Sequence, residues 1–319
     1  MDLSASHVFQ TLEAYLERQS CPGTLQVLQR AVLSKGSLAV QADGHWPIVD
    51  FPLALHRALG GDPAVGLGVA GTCAMFYGFA DVVDDAQDHD LTAVPWDAWG
   101  WEQAVNTGLA LLFESLQYLY EVAPQAAPAI VEVFIRAGRT MTHGQHVDLI
   151  GQDVQQPGWQ SYLSAVERKS GASFGAYAQA IALANGQSPE TAMVYQDLGR
   201  SLGVLFQMLN DTYELWNDRL SSDFENRRLS LPIALGFEQL QGAARQQLVS
   251  VLSGPRTLET QHQLVDFLEA SGVKGYATLR IEVYRRKIEG LVAQLGLSGV
   301  PYLGRLLEIP AFPQHHVAI

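Results

Sequence analysis

Cysteine and basic residues are both scarce in this chain of 319 residues. The two cysteines, Cys21 and Cys73, lie far apart and form no CxxC pair, so we expect buried thiols in a reducing cytoplasm and no redox pair. Lys and Arg number 20 against 33 Asp and Glu, which gives a net charge of -13 at pH 7. That charge argues against nucleic acid and anionic membrane surfaces as partners.

Apolar runs long enough to span a membrane are missing as well. The run most similar to a span, residues 65–80, has 16 uncharged positions, whereas a span needs about 20. It ends in acidic residues and lacks the basic flanks that are typical of a span. The first ten residues contain neither the basic nor the apolar segment of a signal peptide. We therefore predict a cytoplasmic protein that does not span a membrane, with residues 65–80 in a core helix.

Alternating β-branched runs are nearly absent, which argues against a sheet. Apolar residues instead recur every three or four positions, and this period predicts helices. The longest periodic segments are 105–122, 130–150, 159–185, 192–220 and 277–295. Stretches rich in Gly and Pro separate them, without a repeat or a flexible linker. We predict one all-α domain over residues 1–319, with its core in about 10–295 and a C-terminal tail in about 296–319. The end of this tail, EIPAFPQHHVAI at 308–319, is expected to be loosely packed.

Acidic residues, in contrast, are concentrated in two places. The first is ADVVDDAQDHD, residues 80–90, which follows apolar residues that predict a buried helix. Four of its aspartates fall at helical spacing on one face: Asp81, Asp84, Asp85 and Asp88. They lie at the C-terminal end of the helix, where the dipole opposes negative charge. Buried carboxylates this close together are costly unless a cation neutralises them.

The second cluster interrupts another apolar helix, in QMLNDTYELWND, residues 207–218. Helical spacing predicts one face for Asn210, Glu214 and Asp218, with Asp211 beside them. The residues that share a helix face in each cluster offer oxygen ligands only, which suits a hard cation. Mg²⁺ prefers carboxylates together with water and substrate phosphate. We therefore predict that two such stripes, facing each other, would clamp a diphosphate through bridging Mg²⁺.

Five motifs in order give the chain a family resemblance. They are DDAQD at 84–88, GQHVD at 144–148, KSG at 169–171, QMLNDTYE at 207–214 and SDFENRRLSLP at 222–232. Their order and spacing resemble the trans-isoprenyl diphosphate synthase superfamily over roughly residues 40–240. The resemblance implies an isoprenoid-synthase fold, which is a helical bundle around a deep central apolar cavity, and a homodimer.

The resemblance also implies roles for single residues. The implied ligands of three Mg²⁺ ions are Asp84, Asp85 and Asp88 on one wall and Asn210, Asp211 and Glu214 on the other, with Asp218 added from its spacing. Lys169 and Arg228 would contact the diphosphate of an allylic substrate, and Lys169 would act in catalysis with the acidic residues. Gln207 matches a glutamine of the second motif. Gln145 would line the cavity, with structural hydrogen bonding as an equal alternative.

The chemistry of such a site follows from electrostatics. An allylic diphosphate ionises when metal ions and a basic side chain neutralise its leaving group. A dry apolar cavity protects the resulting carbocation from water, and aromatic faces stabilise it. Seven aromatic residues are candidates for this contact, with ordinary core packing as the alternative for each: Phe76, Tyr77, Phe79, Phe174, Tyr177, Phe206 and Tyr213. Phe76 and Phe79 precede Asp84 by two turns and one turn, so they would limit the substrate to about C15 or C20.

Basic anchors that elongating members of the superfamily carry are missing here. Those enzymes hold isopentenyl diphosphate with a GGKRxRP motif, where this chain has His45 and Trp46 in place of Lys and Arg. They also have RRG shortly after DDxxD, where this chain has Ala93 and Val94. A second diphosphate should therefore bind poorly.

The second acidic motif is intermediate between two patterns. Terpene cyclases have a pattern like NDxxSxxxE. In this chain Asn210 matches it, Glu214 replaces the Ser, and Asp218 stands where the Glu would be. The motif therefore favours neither class.

Three enzymatic functions remain open, in order of preference. The first is a class I terpene synthase that ionises one prenyl diphosphate and then cyclises or quenches the cation. The second is a prenyltransferase whose acceptor has no diphosphate, similar in motif pattern to the enzymes that prenylate tryptophan in bacterial pheromone peptides. The third is chain elongation with a rebuilt second site. A catalytically silent partner subunit is the non-enzymatic alternative, which the retained aspartates of the first motif disfavour.

Overall fold

The computed structural model describes residues 3–19, 22–33, 47–88, 100–149 and 157–313. His45, Trp46, Ala93 and Val94 lie outside these ranges. Within them the chain is helical and contains no strand, so the predicted all-α class is confirmed. The helices are α1 Ala5–Arg18, α2 Gly23–Leu33, α3 Pro47–Leu59, α4 Pro63–Asp88, α5 Gly100–Val122, α6 Ala127–Leu149, α7 Trp159–Val166, α8 Ala172–Ala184, α9 Pro189–Leu215, α10 Ser222–Glu225, α11 Leu231–Gln239, α12 Gly242–Ser253, α13 Leu258–Ala270, α14 Val273–Gln294 and α15 Pro301–Glu308. A π-helical turn, Glu167–Gly171, joins α7 to α8.

The chain divides into two compact units built from non-contiguous segments. Unit 1 comprises residues 1–139, 175–199 and 297–304. Unit 2 comprises residues 140–174, 200–296 and 305–319. That residues 1–319 form a single domain stays a prediction.

Unit 1 is centred on α4, which packs along α5 and against α3 and α1. Glycines permit this close packing, because a Cβ at Gly68 would collide with Val122, and one at Gly108 would press on Val82. Among the described residues, Pro63–Gln87 is the one helix whose length and composition would allow it to cross a membrane. In its most apolar 18-residue window, 72% is buried inside the protein. This burial confirms the predicted core helix.

Unit 2 packs α11 against α7 and α14, and α13 against α14. Its C-terminal segment is held against the end of α9. Thr212 Oγ1 donates to the carbonyl oxygen of Ala311 at 2.6 Å, and Phe312 meets the Trp216 ring edge-on at 4.8 Å. Arg285 donates to the carbonyl oxygen of Ile309. The loose packing expected for residues 308–319 was wrong for Ile309, Ala311 and Phe312, because these residues are hydrogen-bonded or stacked against unit 2.

Candidate functional site

The first acidic cluster lies at the C-terminal end of α4. The helix ends at Asp88, and its last turn contains no basic residue. Asp81, Asp84 and Asp85 are half-buried, while the side chain of Asp88 lies outside the described part of the chain. Partial burial and the helix dipole both disfavour negative charge here. This end of α4 is therefore suited to a cation.

Aromatic rings line the same helix below the acidic cluster. Phe76 is buried and Phe79 is half-buried, and their ring centroids are 5.7 Å apart in an edge-on arrangement. Phe76 also packs on Phe134 of α6 at 4.8 Å, and Phe134 lies 6.3 Å from Tyr177 of α8. The predicted pair thus belongs to a four-ring cluster within unit 1. Phe134 was not predicted, although its position on the apolar period of α6 is a signal that could have found it.

The second acidic cluster is organised by hydrogen bonds near the end of α9. Asn210 is exposed, and its Nδ2 donates to Glu214 Oε1 at 2.9 Å. The other oxygen of Glu214 accepts from Ser221 Oγ at 3.2 Å. The Asn210 nitrogen is therefore turned toward Glu214, so the Asn210 carbonyl oxygen is the atom of this side chain that could bind a metal. Asn210 and Glu214 lie together on one helix face, as their spacing predicted.

Asp218 does not lie on that helix face. The predicted helix continued to residue 220, but α9 ends at Leu215, and Asp218 is exposed in the turn that follows. Asn217 and Asp218 stand in this turn, and both residue types favour turns over helix interiors. The helical register predicted for Asp218 was therefore wrong.

Asp211 points away from Asn210, into the interior of unit 2. It is 2% exposed, and both of its oxygens accept hydrogen bonds, Oδ1 from Gln207 Nε2 at 2.8 Å and Oδ2 from the Leu231 backbone N–H at 2.7 Å. Burial, and after it the nearby charge of Asp223, raises the pKa of Asp211 to about 8. The hydrogen bonds that Asp211 accepts act in the opposite direction and lower its pKa. The carboxylate therefore joins α9 to the start of α11.

Lys169 lies on the π-helical turn, and such turns within helices are frequent at functional sites. The turn approaches α9 closely, because a Cβ at Gly203 would collide with the carbonyl oxygen of Ser170. Ser170 Oγ also donates to Gln207 Oε1 at 3.0 Å. Gln207 thus bridges the turn and Asp211, while Lys169 itself is half-buried.

Gln145 of α6 belongs to the same neighbourhood of unit 2. A Cβ at the preceding Gly144 would lie 3.0 Å from Arg168 Cβ and 3.3 Å from Lys169 Cγ. The side-chain amide of Gln145 is buried, and neither of its polar atoms has a hydrogen-bond partner among the described residues. An unsatisfied buried amide costs free energy, so it favours a polar ligand here over the purely structural alternative.

Arg228 follows α10 in the segment that leads to α11. It is half-buried, and its Nη1 lies 3.8 Å from Asp223 Oδ1. The preceding Arg227 has a φ of 59°, the left-handed region that side chains other than glycine rarely adopt. Arg227 is the one non-glycine residue with positive φ in the described ranges. Strain of this kind persists where the surroundings require it, which marks the segment as a functional candidate.

Phe206 is half-buried on α9, one turn before Asn210. Its ring meets that of Phe174 edge-on at a centroid distance of 5.2 Å, and Phe174 is buried. Phe206, which we predicted to contact the carbocation, thus lies one helical turn before the second acidic cluster, in unit 2.

The structure brings one half of the predicted site together in each unit. Unit 2 combines Lys169, Gln145 and Gln207 with the second acidic cluster and Arg228, whereas unit 1 holds the first cluster and its aromatic rings. That the two clusters face each other across a cavity stays a prediction. In the described residues, no three His, Cys, Asp or Glu side chains form a group that could hold a metal by themselves.

Three residues of unit 2 were missed by sequence reasoning. Ser221 bonds Glu214, Gly203 admits the π-helical turn, and Tyr162 lies beside Asp211. Ser221 and Gly203 carry no signal in isolation, because their partners come from other elements. Tyr162 precedes Lys169 by seven residues, a spacing that puts two residues on the same face of an α-helix. This spacing could have drawn attention to Tyr162.

Comparison with known proteins gives the family. The polyprenyl synthetase family pattern matches residues 58–268. The chain is 25% identical over 241 residues to the short chain isoprenyl diphosphate synthase of Methanothermobacter thermautotrophicus, covering 70% of this chain and 72% of that protein. It is 24% identical over 224 residues to the tryptophan prenyltransferase ComQ of Bacillus subtilis, covering 69% and 72%.

A solved structure gives the same result for the fold. The geranylgeranyl pyrophosphate synthetase of Pyrococcus horikoshii superposes with a TM-score of 0.80 at 20% identity, over 96% of each chain. This likeness confirms the predicted all-α isoprenoid-synthase fold. The five motifs, the fold and the match over residues 58–268 agree, and the chain belongs to the polyprenyl synthetase family.

Proposed function

We propose that this chain is a Mg²⁺-dependent enzyme that ionises one prenyl diphosphate, preferably C15 to C20, and cyclises or quenches the carbocation with release of diphosphate. Family membership and relatives named as prenyl diphosphate synthases and prenyltransferases support a prenyl-transferring ancestry. The finer assignment, a class I terpene synthase, rests on the residues of this chain.

One contrast carries the proposal. The residues that would bind the allylic diphosphate are retained, whereas His45 with Trp46 and Ala93 with Val94 replace the basic anchors for a second diphosphate. Each lost charge-assisted hydrogen bond costs about 1.5–3 kcal/mol, so three or four losses would make binding of isopentenyl diphosphate negligible. A single diphosphate is therefore the better substrate hypothesis.

The donor chemistry of both clusters fits Mg²⁺. The carboxylates of α4 and the oxygens of Asn210 and Glu214 are hard ligands, and none of these candidate ligands is His or Cys. The described side chains form no complete cage, which is the expected arrangement for an ion that keeps water and substrate oxygens as ligands. Bound Mg²⁺ would supply the positive charge that stabilises the leaving diphosphate. Asp84, Asp85, Asn210 and Glu214 would hold it, with Asp88 and Asp218 as further candidates.

Residues of unit 2 would bind and orient the diphosphate. Lys169 would contact it from the π-helical turn, and the buried amide of Gln145 would find in it the hydrogen-bond acceptor that it lacks. Arg228 would add a second positive charge from the segment before α11. We assign Asp211 to holding this segment in place, because its two oxygens are already hydrogen-bonded.

Aromatic rings would surround the prenyl chain. Phe206 with Phe174 in unit 2 and Phe79 with Phe76 in unit 1 each lie below an acidic cluster. Ring faces stabilise a cation, and apolar walls exclude the water that would quench it. The half-buried rings of Phe79 and Phe206 are the better candidates for direct contact, since Phe76 and Phe174 are largely covered by protein.

A second candidate function is prenyl transfer to an acceptor without a diphosphate, such as a tryptophan-containing peptide. The observation that favours it is the similarity to the tryptophan prenyltransferase ComQ. In this reaction the same residues would ionise the substrate, and an aromatic acceptor would occupy the place of isopentenyl diphosphate. Loss of the basic anchors is compatible with both candidates.

We also propose that the protein is a homodimer that associates through α5. Four apolar residues lie on one face of this helix, and three of them are exposed: Leu109, Phe113 and Tyr120, with Leu116 half-buried. Such a stripe on an otherwise acidic protein favours a protein partner. Phe113→Glu should convert the dimer to a monomer in sedimentation velocity runs, whereas the control Gln103→Glu, at an exposed polar position of α5 off this stripe, should not.

Product analysis tests the function. The protein is incubated with Mg²⁺ and geranyl, farnesyl or geranylgeranyl diphosphate, each with and without isopentenyl diphosphate, and with a tryptophan-containing peptide. We expect a hydrocarbon or alcohol plus inorganic diphosphate from the allylic substrate alone, with no change on adding isopentenyl diphosphate. Incorporation of labelled isopentenyl diphosphate into a longer prenyl diphosphate would overturn the proposal in favour of elongation. Product only in the presence of the peptide would establish the second candidate.

A further inference from the structure

Gln261 of α13 is a polar residue on an otherwise apolar helix face. It shares the buried face of α13 with Leu264 and Leu268, and it is 0% exposed. A capping box between Thr257 and Thr260 begins the helix and fixes the turn on which Gln261 lies. Because burial removes water from the amide, the protein itself must supply its hydrogen-bond partners.

Those partners are backbone atoms at the end of α9 and in the α9–α10 connection, residues 216–221. Gln261 Oε1 accepts from the backbone N–H of Ser221 at 2.8 Å. Its Nε2 lies 3.1 Å from the carbonyl oxygen of Leu215, 3.4 Å from that of Asn217 and 3.0 Å from that of Arg219. Carbonyl oxygens only accept and a backbone N–H only donates, so these neighbours fix the orientation of the amide. One side chain therefore holds both ends and the middle of the connection.

The connection leads from Gln261 to a candidate metal ligand. Ser221 Oγ donates to Glu214 Oε2 at 3.2 Å and accepts from the Phe224 N–H at 3.3 Å, which makes Ser221 the N-cap of α10. The other oxygen of Glu214 accepts from Asn210 at 2.9 Å. The position of the Ser221 backbone thus determines where its hydroxyl meets Glu214, and Gln261 holds that backbone.

We propose that Gln261 is a positioning residue, which holds the α9–α10 connection and, through Ser221, orients Glu214 for binding Mg²⁺. The four hydrogen bonds of its side chain go to backbone atoms, so it acts on Glu214 at one remove. The catalytic consequence rests on the proposed function, whereas the hydrogen bonds belong to the protein without ligand.

Hydrogen exchange of the apo protein tests the hydrogen-bonded connection first. Gln261→Leu fills the same space without polar atoms, and it should speed exchange of the Ser221 and Phe224 amides roughly tenfold relative to amides of α5. The control is Gln29→Leu in unit 1, which removes a buried amide that has no hydrogen-bond partner among the described residues. It should leave both amides unchanged. Unchanged exchange in Gln261→Leu would overturn the inference, whether or not the proposed function is correct.

Metal dependence tests the effect on Glu214. The concentration of Mg²⁺ that half-saturates the thermal shift given by inorganic diphosphate should rise about tenfold in Gln261→Leu and stay constant in Gln29→Leu. A loss of folded protein alone would not move this concentration, so the readout separates positioning from stability. An unchanged half-saturation in Gln261→Leu would overturn the positioning role. If the wild type shows neither a shift nor turnover, the proposed function fails, and the hydrogen-exchange result alone decides whether Gln261 holds the connection.

Ser221→Ala tests the last link, and it does so even if Gln261→Leu does not fold. It removes the hydroxyl that bonds Glu214 and keeps the backbone N–H that bonds Gln261. Half-saturating Mg²⁺ should again rise about tenfold, and an unchanged value would overturn the link between Ser221 and Glu214. Combined with Gln261→Leu, Ser221→Ala should impair Mg²⁺ binding no further than Gln261→Leu alone. Multiplied effects would contradict transmission through Ser221.

Discussion

The two acidic clusters are alike in sequence but differ in construction. The cluster on α4 places half-buried carboxylates at a helix end that contains no basic residue in its last turn. The cluster on α9 is held in place by hydrogen bonds. Asn210 and Ser221 donate to Glu214, and Asp211 accepts from Gln207 of α9 and from the backbone N–H of Leu231 in α11. The first cluster therefore concentrates negative charge at a helix end, where a cation would be favourable, whereas hydrogen bonds pre-organise the second cluster.

This difference separates the consequences of substitution. Removing a carboxylate from α4 should lower the density of negative charge at the helix end and should chiefly harm the state with bound ligand. Removing Asp211 from α9 leaves buried donors without an acceptor and harms the free protein itself. Substitutions in each cluster, and in the basic segment beside the second one, test whether the clusters differ in this way.

The largest effect is expected at the first cluster. Asp84→Ala and Asp85→Ala should each lower turnover of the allylic substrate by about a thousandfold, because a metal ligand is lost from the stabilisation of the leaving group. The melting temperature of the free protein should stay the same or rise. The control is Gln87→Ala, an exposed neighbour on the same helix, which should leave both quantities unchanged. A strongly destabilised Asp84→Ala protein would contradict the description of this cluster as a group of mutually repelling charges.

The second cluster should respond in stability. Asp211→Ala should lower the free energy of unfolding by about 2–4 kcal/mol, because the Leu231 N–H and the Gln207 amide lose their buried acceptor. Urea denaturation of the apo protein measures this. Asp197→Ala removes an exposed carboxylate from the same helix and should change it by less than about 0.5 kcal/mol. Equal stability of the two variants would show that Asp211 does not join α9 to α11.

The basic residues beside the second cluster should give a smaller, kinetic effect. Lys169→Ala and Arg228→Ala should each lower kcat/KM by about 10- to 100-fold, because each removes one charge-assisted contact to the diphosphate. Both kcat and kcat/KM should fall. Arg136→Ala, which breaks an exposed pair with Glu132 on α6, serves as the control for loss of positive charge. Wild-type kinetics in both Lys169→Ala and Arg228→Ala would show that neither contacts the substrate.

The smallest effect concerns the backbone of the same segment. Arg227 has a φ of 59°, so Arg227→Gly should be more stable than Arg227→Ala by about 1 kcal/mol, since only glycine adopts this conformation without strain. Both variants lose the side chain and its 3.4 Å contact to the Leu252 carbonyl oxygen, so their difference reports the backbone alone. Chemical denaturation of the pair checks it. An Ala variant as stable as the Gly variant would show that the segment is not strained.

The fold class and the two clusters could be predicted because they follow from local pattern. Helical periodicity gave the core helix at residues 65–80, and the i to i+4 spacing placed Asn210 and Glu214 together. The same rule failed for Asp218, because the end of α9 at Leu215 is set by turn residues that the apolar period does not show.

What escaped prediction depends on contacts between distant segments. Asp211 was grouped with its neighbours, since sequence spacing cannot show which face of a helix is buried against α11. The packing of the tail on Trp216 and the proximity of Tyr162 to Asp211 likewise join residues far apart in the chain. Motif spacing thus located the candidate metal-binding and substrate-binding residues. Tertiary contacts, in contrast, determine which of these residues are buried and hold other segments in place.

The melting temperature of the protein with Mg²⁺, inorganic diphosphate, or both tests most directly our proposal that both clusters bind one diphosphate through Mg²⁺. Because a ligand that binds the native state raises the free energy of unfolding, we predict that the shift with both ligands clearly exceeds the sum of the separate shifts. We also predict that Asp84→Ala in unit 1 and Glu214→Ala in unit 2 each abolish the excess. A combined shift no larger than either alone, or an excess that survives one of these substitutions, would contradict this proposal.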